Sequence, residues 1–123
     1  MLRISPSREM GGLYEWPDLD EMPGYFIQKV DELGLCLLDV SCANASYFQT
    51  SEKVVRSIRS IWPHFLMGGA SLSIKEANQA LEAGRIDMVT WGRHILANPD
   101  FVTRARLSQE WMSMTSEMRE VLL

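Results

Sequence analysis

The sequence predicts a parallel α/β fold, and three observations carry that prediction. Short apolar runs that suit strands alternate along the chain with segments whose apolar residues recur at helical spacing. The runs are nearly continuous rather than alternating, which is typical of strands covered on both faces of a parallel sheet. The links between these segments are mostly short, as in βαβ units.

The first half of the chain begins with a predicted strand from Leu2 to Ser5, ended by Pro6. Residues 6–22 form a long connection, a feature that is often functional in compact domains. Pro23 suits the first turn of a helix and Gly34 its end. The predicted buried face of that helix consists of Tyr25, Phe26, Val30 and Leu33. A second strand is predicted from Leu35 to Val40.

The middle of the chain carries a helix capped by Thr50 or Ser51 and ended by Pro63. Its recurring apolar positions are Val54, Val55, Ile58 and Ile61. His64 to Met67 is predicted as the third strand, closed by Gly68-Gly69. Ser73 and Glu76 match a capping box that begins another helix. This helix is marked by Ile74, Ala77, Ala80 and Leu81 and ends at Gly84.

The last third of the chain begins with a fourth predicted strand, Asp87 to Trp91, closed by Gly92-Arg93. A helical turn from His94 to Ala97 follows. Asn98-Pro99-Asp100 then starts a final helix that runs through Arg106. The tail from Leu107 to Leu123 shows no clear partner face.

Composition narrows the function classes. The chain has 123 residues, one domain at most, and a net charge of −4 without a Lys/Arg cluster, which disfavours nucleic-acid binding. No apolar stretch is long enough to span a membrane, and the N-terminus lacks the pattern of a signal peptide. We therefore expect a cytoplasmic protein with no membrane or nucleic-acid partner. Cys36 and Cys42 are expected to be reduced thiols.

Two glycine-containing turns predict a phosphate site. Gly68-Gly69 and Gly92-Arg93 each follow a predicted strand, and ligands bind at the carboxyl ends of parallel strands. Glycine lets backbone N–H groups approach an anion closely, and an arginine can bind phosphate with two hydrogen bonds. The alternative is that the glycines only make tight turns and that Arg93 is a surface charge.

Other polar residues carry weaker signals. Arg3 lies within the first strand, where a cation suggests an anionic or electron-rich ring partner, or else a frayed terminal charge. Neither His64 nor His94 has the context of a catalytic residue. No Cys/His spacing suggests a metal site, and no Walker A or dinucleotide-binding glycine motif occurs.

Four motifs resemble old yellow enzyme-type NADH:flavin oxidoreductases, which are FMN-dependent TIM barrels. Arg3-Ile4-Ser5-Pro6 is similar to the fifth-strand motif of that family, and residues 31–41 are similar to its sixth strand. Met67-Gly68-Gly69 matches the seventh-strand phosphate loop. Residues 87–101 resemble D-x-V-x-(F/Y/W)-G-R-x-x-(I/L)-A-N-P-D-(L/F), which is long and specific.

The resemblance implies the C-terminal half of a TIM barrel, strands 5–8, over residues 1–106, followed by a tail at 107–123. FMN would be the cofactor, NAD(P)H the reductant and an activated alkene the substrate of the parent family. Arg3 would contact the flavin ring near N1 and the C2 carbonyl. The phosphate would be bound by Gly68, Gly69, Gly92 and Arg93.

The chain also departs from the family pattern. No His-x-x-Asn or His-x-x-His pair for the substrate carbonyl is present, because His64 is followed at +3 by Met67 and His94 by Ala97. The tyrosine that donates a proton is missing with the first four strands, and Asp39 stands where the sixth-strand histidine is usual. We assign no catalytic residue and expect the isolated chain to be inactive.

Three interpretations remain open at this stage. The chain is a truncated oxidoreductase fragment, a non-catalytic half-barrel that binds phosphate ligands or another chain, or a stand-alone doubly wound domain. A half-barrel leaves two open sheet edges and exposes residues of the Leu35–Val40 and Phe65–Met67 runs. We therefore expect self-association, or association with a missing N-terminal half.

Overall fold

The computed structural model describes residues 1–9, 11–42 and 46–121, and they form two compact units, Met1–Thr90 and Trp91–Leu123. Leu122 and Leu123, at the end of the predicted tail, lie outside the described residues, as does Met10 of the predicted connection. The predicted division at residue 106 stays a prediction.

The first unit contains a four-stranded parallel sheet in the order β1-β4-β5-β6. Its strands are β1 (Leu2–Ile4), β4 (Leu37–Val40), β5 (Phe65–Gly68) and β6 (Met88–Val89). The alternation of parallel strands with helices confirms the predicted fold class. The fourth strand is shorter than predicted, since only two residues of the Asp87–Trp91 run have strand structure.

The prediction of a long connection is partly wrong, because Ser7–Glu9 and Leu13–Glu15 form the two strands of a β-hairpin. Strands β2 (Ser7–Glu9) and β3 (Leu13–Glu15) pair antiparallel around a turn that contains Gly11 and Gly12, both with positive φ. Gly-Gly is a known hairpin signal. The two strands lack apolar alternation because five of their six residues are exposed, so periodicity did not reveal them.

The first unit has three α-helices, α1 (Met22–Glu32), α2 (Ser51–Arg59) and α3 (Ile74–Glu82), and a short 3-10 helix, Tyr47–Gln49. The capping box of Ser73 and Glu76 is present at the start of α3, as predicted. Gly34 and Gly84, which follow α1 and α3, have φ of +71° and +64°, the left-handed conformation that ends helices. Thr50 precedes α2, but its hydroxyl donates to the Ser46 carbonyl instead of capping the helix.

The buried face of α1 differs from the predicted one. Ile27 and Val30 are buried, whereas Tyr25 is 70% exposed and Leu33 is 77% exposed. Ile61 and Leu81 are also exposed at positions that were expected to be apolar contacts. Helical spacing alone allowed two neighbouring faces on α1, and only packing against α2 selects one of them.

The core lies on the helix side of the sheet. Leu38, Val40 and Leu66 are fully buried there, against α2 residues such as Val55 and Ile58. The opposite face presents the alternate residues, and Phe65 on it is 60% exposed. The sheet thus has one face covered by helices, while its opposite face is exposed at Phe65 and buried at Asp39.

The second unit contains α4 (Arg93–Ala97), α5 (Phe101–Arg106) and α6 (Ser116–Val121). Both α4 and α5 agree with the predicted elements. The helix α6 lies in the tail, for which no element was predicted. None of the helices in the described part of the chain is long and apolar enough to cross a membrane.

Candidate functional site

Arg3 is fixed by neighbours at the carboxyl edge of the sheet. Its Nε donates a 2.7 Å hydrogen bond to Ser41 Oγ and lies 3.5 Å from Asp39 Oδ2. Arg3 and Asp39 are also paired in register between β1 and β4. The Arg3 side chain is 64% exposed, so it reaches a polar anchor while it remains open to a ligand.

Asp39 is the buried centre of this edge. It is 3% exposed, and its Oδ1 accepts a 3.0 Å hydrogen bond from Thr90 Oγ1 just beyond β6. A buried carboxylate needs such partners because desolvation of an uncompensated charge is costly. From the sequence, Asp39 stood out only as a departure from the histidine usual in the family. The available signal was an acidic residue inside an apolar strand.

Gly69 has no room for a side chain. A Cβ on Gly69 would lie 2.1 Å from the Thr90 carbonyl oxygen and 3.0 Å from its carbonyl carbon. Gly68 is restricted on the other face of the sheet, where a Cβ would lie 2.9 Å from Ile86 Cγ2 and 3.5 Å from the Tyr47 ring. Both glycines are therefore required by close packing, one against a neighbouring strand end and one against the helix layer.

The backbone after Gly69 adopts conformations that are unusual for its residues. Ala70 has φ of 152° and Ser71 has φ of 57°, values that favour glycine. The Ala70 carbonyl accepts a 2.8 Å hydrogen bond from the Tyr47 N–H, which holds the turn in place. Such strain occurs often at ligand sites. The sequence did not reveal this feature because neither residue is a glycine.

The second unit begins with the other predicted site residues. Gly92 precedes α4, and nothing lies within 4 Å of the position that a Cβ would take on it. Arg93 is the first residue of α4 and is half-buried. There is space for a side chain at Gly92, whereas close packing excludes one at Gly69.

His94 follows Arg93 and lies in an aromatic cluster. Its ring stacks on Trp111, with 5.1 Å between centroids, and Trp111 also stacks on Phe101 at 4.9 Å. Burial, and then the charge of Arg93, lower the pKa of His94 below its ordinary value. A neutral histidine among aromatic rings is consistent with a packing role.

The tail has a partner face within the second unit, contrary to the prediction. Besides the stacking of Trp111, the fully buried Asn98 binds the backbone of Met112 in both directions. Asn98 Nδ2 donates to the Met112 carbonyl at 2.8 Å, and Asn98 Oδ1 accepts from the Met112 N–H at 2.8 Å. Neither the Asn98–Met112 contact nor the His94–Trp111 contact has a local sequence signal, because each joins residues more than ten positions apart.

His64 takes part in a structural contact. Its Nε2 lies 2.8 Å from Asp31 Oδ1, and its ring meets the Trp62 ring edge to face at 5.0 Å. It precedes β5, at the amino ends of the strands. Within the described ranges, no group of three or more His, Cys, Asp and Glu side chains is placed to hold a metal ion.

The fold and the polar edge define the class of the protein: a βα-barrel segment whose strand ends present an arginine, a buried carboxylate and close-packed glycines. The chain is 31% identical over 104 residues to a probable flavin mononucleotide-dependent alkene reductase of Leishmania infantum. The match covers 85% of this chain and 28% of that relative. No family model matches the chain.

Solved structures of old yellow enzymes share the fold of this chain. The old yellow enzyme from Trypanosoma cruzi superposes with a TM-score of 0.77 at 24% identity, over 94% of this chain and 30% of that one. The old yellow enzyme homologue from Zymomonas mobilis has a TM-score of 0.77 at 21% identity and the same coverage of this chain, with 33% of its own. Morphinone reductase in complex with tetrahydroNAD has a TM-score of 0.74 at 23% identity.

These matches confirm the resemblance to old yellow enzymes and the fold of part of their TIM barrel. The chain spans about a third or less of the length of each relative named here. The Leishmania relative is flavin mononucleotide-dependent by name, which matches the predicted cofactor FMN. One of them was solved with a nicotinamide compound, which agrees with NAD(P)H as the reductant of the parent family.

Proposed function

We propose that this chain is the FMN-binding portion of an NAD(P)H-dependent oxidoreductase of the old yellow enzyme type. The parent activity is the transfer of hydride from NAD(P)H through FMN to an activated alkene. The sequence match to an FMN-dependent alkene reductase supports the cofactor. The polar groups at the carboxyl edge of the sheet support the location of the site.

The observation that carries the proposal is the packing of Gly69. With its Cβ position 2.1 Å from the Thr90 carbonyl, this residue has to be glycine, and it begins a sharply bent turn. Such a turn leaves backbone N–H groups accessible to an anion. Gly68 and Gly69 would bind the FMN phosphate through their backbone, together with the backbone of Gly92 and the guanidinium of Arg93.

Arg3 would interact with the flavin ring. Its position is set by Ser41 and Asp39, while most of its side chain stays exposed for a ligand. A positive charge near N1 and the C2 carbonyl of the ring stabilises negative charge there when the cofactor is reduced. The Asp39 carboxylate offsets part of this charge, so Arg3 would tune the cofactor less than an unpaired arginine would.

A second candidate function is a non-catalytic half-barrel that binds phosphate ligands. Asp39 favours it, because a buried carboxylate occupies the place where the family has a histidine. The two functions differ in their ligand. The oxidoreductase portion should recognise the flavin ring as well as the phosphate, whereas the phosphate-binding half-barrel should not distinguish FMN from other phosphate esters.

Titration of the purified chain with flavins tests both. We expect FMN to bind with quenching of its fluorescence and to stay with the protein as visible absorbance after desalting. Riboflavin, which lacks the phosphate, should bind about ten to a hundred times more weakly, as expected for loss of a charge-assisted hydrogen bond of about 1.5–3 kcal/mol. Equal affinities for both flavins would contradict the phosphate site. Competition by phenyl phosphate at the same affinity as FMN would support the second candidate.

A further inference from the structure

A groove in the first unit is lined by arginines, at the place where α2 ends beside the turn that follows α3. Its volume is about 250 Å³, and it is open to solvent. Arg59 ends α2 ahead of β5, and Arg85 lies between α3 and β6, so the groove is at the amino ends of these strands. It is therefore separate from the carboxyl edge that carries Arg3 and Asp39. The described residues that line it are Arg56, Arg59, Ser60, Ala83, Gly84 and Arg85.

Arg56 and Arg85 share one counter-ion in this groove. Arg56 Nη2 donates a 2.9 Å hydrogen bond to Glu52 Oε1, and Arg85 Nη1 donates to the same oxygen at 2.8 Å. The two guanidinium groups are therefore held side by side, although Arg85 is 33 positions from Glu52 in the sequence. One carboxylate neutralises only one of two positive charges, and those two charges repel each other at short range. A second anion beside both guanidinium groups would relieve that repulsion.

Arg59 has a counter-ion of its own. Its Nη1 donates a 2.8 Å hydrogen bond to Asp87 Oδ2, and its Nη2 donates to the His64 carbonyl at 3.0 Å. Its side chain is 24% exposed, whereas that of Arg56 is 60% exposed. Arg59 is thus occupied by the fold, and its pairing with Asp87 leaves the excess positive charge at the other two arginines unchanged. This local excess contrasts with the net charge of −4 of the whole chain.

The inner side of the arginine cluster is shielded from water. The Glu52 side chain is 18% exposed, and Tyr47 is fully buried with a hydroxyl that has no hydrogen-bond partner among the described residues. Burial, and then the charge of Glu52, raise the pKa of Tyr47. The charges of Arg85 and Arg56 lower this pKa, so the tyrosine lies within their field. A buried wall behind charged groups reduces solvent screening and strengthens their attraction for an anion.

We propose that Arg56 and Arg85 bind the phosphate group of a soluble phosphate ester in this groove. Each guanidinium carries five N–H donors, and Glu52 uses one from each. Arginine matches the geometry of phosphate with two parallel hydrogen bonds, and two adjacent arginines suit a group with two negative charges. The net negative charge of the chain disfavours an anionic membrane surface as the source of the phosphate. The site lies apart from the proposed FMN site and does not depend on it.

A purely structural role for these arginines is the alternative. Arg56 lies in the last turn of α2, where a cation stabilises the helix end. That role accounts for Arg56 but not for Arg85, which lies outside the helices and still reaches the same carboxylate oxygen. The two roles differ in a measurable respect, because only a ligand site binds added phosphate saturably.

Titration of the isotope-labelled, unmodified chain with inorganic phosphate tests the site. Sodium chloride keeps the ionic strength constant, and NMR follows the side-chain Nε–H signals of Arg56 and Arg85. The expected result is a saturable shift of both signals with one common affinity. No shift, or the same shift in sodium chloride alone, would overturn the proposal. A shift at Arg93 with none at Arg56 and Arg85 would also overturn it, because phosphate would then bind at the proposed FMN site only.

A matched pair of variants distinguishes the groove from general attraction by charge. Arg85→Gln should weaken phosphate binding about tenfold, as measured by the Arg56 signal, because one charge-assisted contact is lost. Arg106→Gln removes the same charge from an exposed position of α5 and should leave the affinity unchanged. Equal losses of affinity in the two variants would indicate attraction by net charge alone and would contradict the site.

Glu52→Gln should change phosphate affinity in the opposite direction. The glutamine keeps an oxygen that accepts hydrogen bonds from both arginines but removes the competing negative charge. Phosphate should therefore bind about threefold more tightly or better. Unchanged or weaker binding in this variant would contradict the proposal, because a cluster with only a structural role gains no affinity when its carboxylate is neutralised.

Two further probes identify the source of the phosphate. Phenyl phosphate, a soluble ester, should shift the signals of Arg56 and Arg85 as inorganic phosphate does. Vesicles of phosphatidylcholine with phosphatidic acid should not sediment the chain more than vesicles of phosphatidylcholine alone. Sedimentation that requires phosphatidic acid and is lost in Arg85→Gln would overturn the soluble ester in favour of a lipid head group.

Discussion

Thr90 Oγ1 donates a 3.0 Å hydrogen bond to Asp39 Oδ1, joining residues that are 51 positions apart in the sequence. The other carboxylate oxygen lies 3.5 Å from Arg3 Nε. The side chain of Asp39 thus links the end of β6 to β1, although these two strands are not neighbours in the sheet. The strength of this link can be measured.

Asp39→Ala should lower the free energy of unfolding by about 1–3 kcal/mol, because it leaves the hydroxyl of Thr90 without its acceptor. A double-mutant cycle with Thr90→Val should give a coupling energy of about 0.5–3 kcal/mol in urea unfolding. Glu82→Ala, at an exposed position of α3, is the control and should change stability by less than about 0.5 kcal/mol. Additive effects of the two site substitutions would contradict a direct interaction.

Gly69→Ala should destabilise the fold by about 1–3 kcal/mol, as expected when a methyl group is forced against fixed backbone. Its Cβ would meet the Thr90 carbonyl at 2.1 Å. Gly92→Ala serves as the matched control, because the same atom would enter open space and φ there is −94°. Thermal or urea unfolding should show a larger loss of stability for Gly69→Ala than for Gly92→Ala. An equal loss of stability in both variants would contradict the close packing of Gly69 against the Thr90 carbonyl.

FMN affinity should depend more on Arg93 than on Arg3. A charge-assisted contact to phosphate contributes about 1.5–3 kcal/mol, so Arg93→Ala should weaken FMN binding about ten- to a hundredfold. Arg3 is already paired with Ser41 and Asp39 in the protein, and its charge is partly offset. Fluorescence titration of Arg93→Ala and Arg3→Ala gives the comparison, and a larger loss in the Arg3 variant would reverse the ranking.

Stability should fall as the pH decreases through about 6.5. Burial and the charge of Arg93 lower the pKa of His94 below the ordinary 6.5. The unfolded chain therefore takes up this proton at a higher pH than the folded chain, which favours unfolding. The loss begins below the unfolded pKa and levels off once the pH is below the folded one.

His94→Phe keeps an aromatic ring in contact with Trp111 and near Phe101 but cannot be protonated, so this part of the pH dependence should disappear. His64→Gln is the control, since it removes the other histidine and leaves His94 in place. Urea midpoints between pH 7 and about pH 5 provide the measurement. If the pH dependence of the urea midpoint persists in the His94 variant and vanishes in the His64 variant, the prediction for His94 is wrong.

The purified 123-residue chain should not reduce an activated alkene with NADPH and FMN. The sequence has no His-x-x-Asn or His-x-x-His pair to orient a substrate carbonyl, since Met67 and Ala97 stand three residues after its two histidines. Consumption of NADPH in the presence of an enone, compared with free FMN alone, measures this. Turnover above the free-flavin background would show that other residues supply the missing groups.

Local patterns in the sequence determined the order of the main elements and the candidate site. Near-continuous apolar runs predicted strands later seen at Leu37–Val40 and Phe65–Gly68. The Ser73–Glu76 capping box and the stop at Gly34 predicted helix ends, because caps depend on residues a few positions apart. The motif at residues 87–101 indicated a resemblance to old yellow enzymes, and the sequence match and the shared fold confirm that resemblance.

Tertiary structure alone decided which residues face the core and which polar groups meet. Packing on α2 buried Ile27 and Val30 and left Leu33 exposed, since helical spacing permits several neighbouring faces. The Asp39–Thr90 hydrogen bond and the position of Trp111 against His94 join residues far apart in the chain. Such contacts depend on strand register and on the path of loops in space, and neither is encoded in a local pattern of residues.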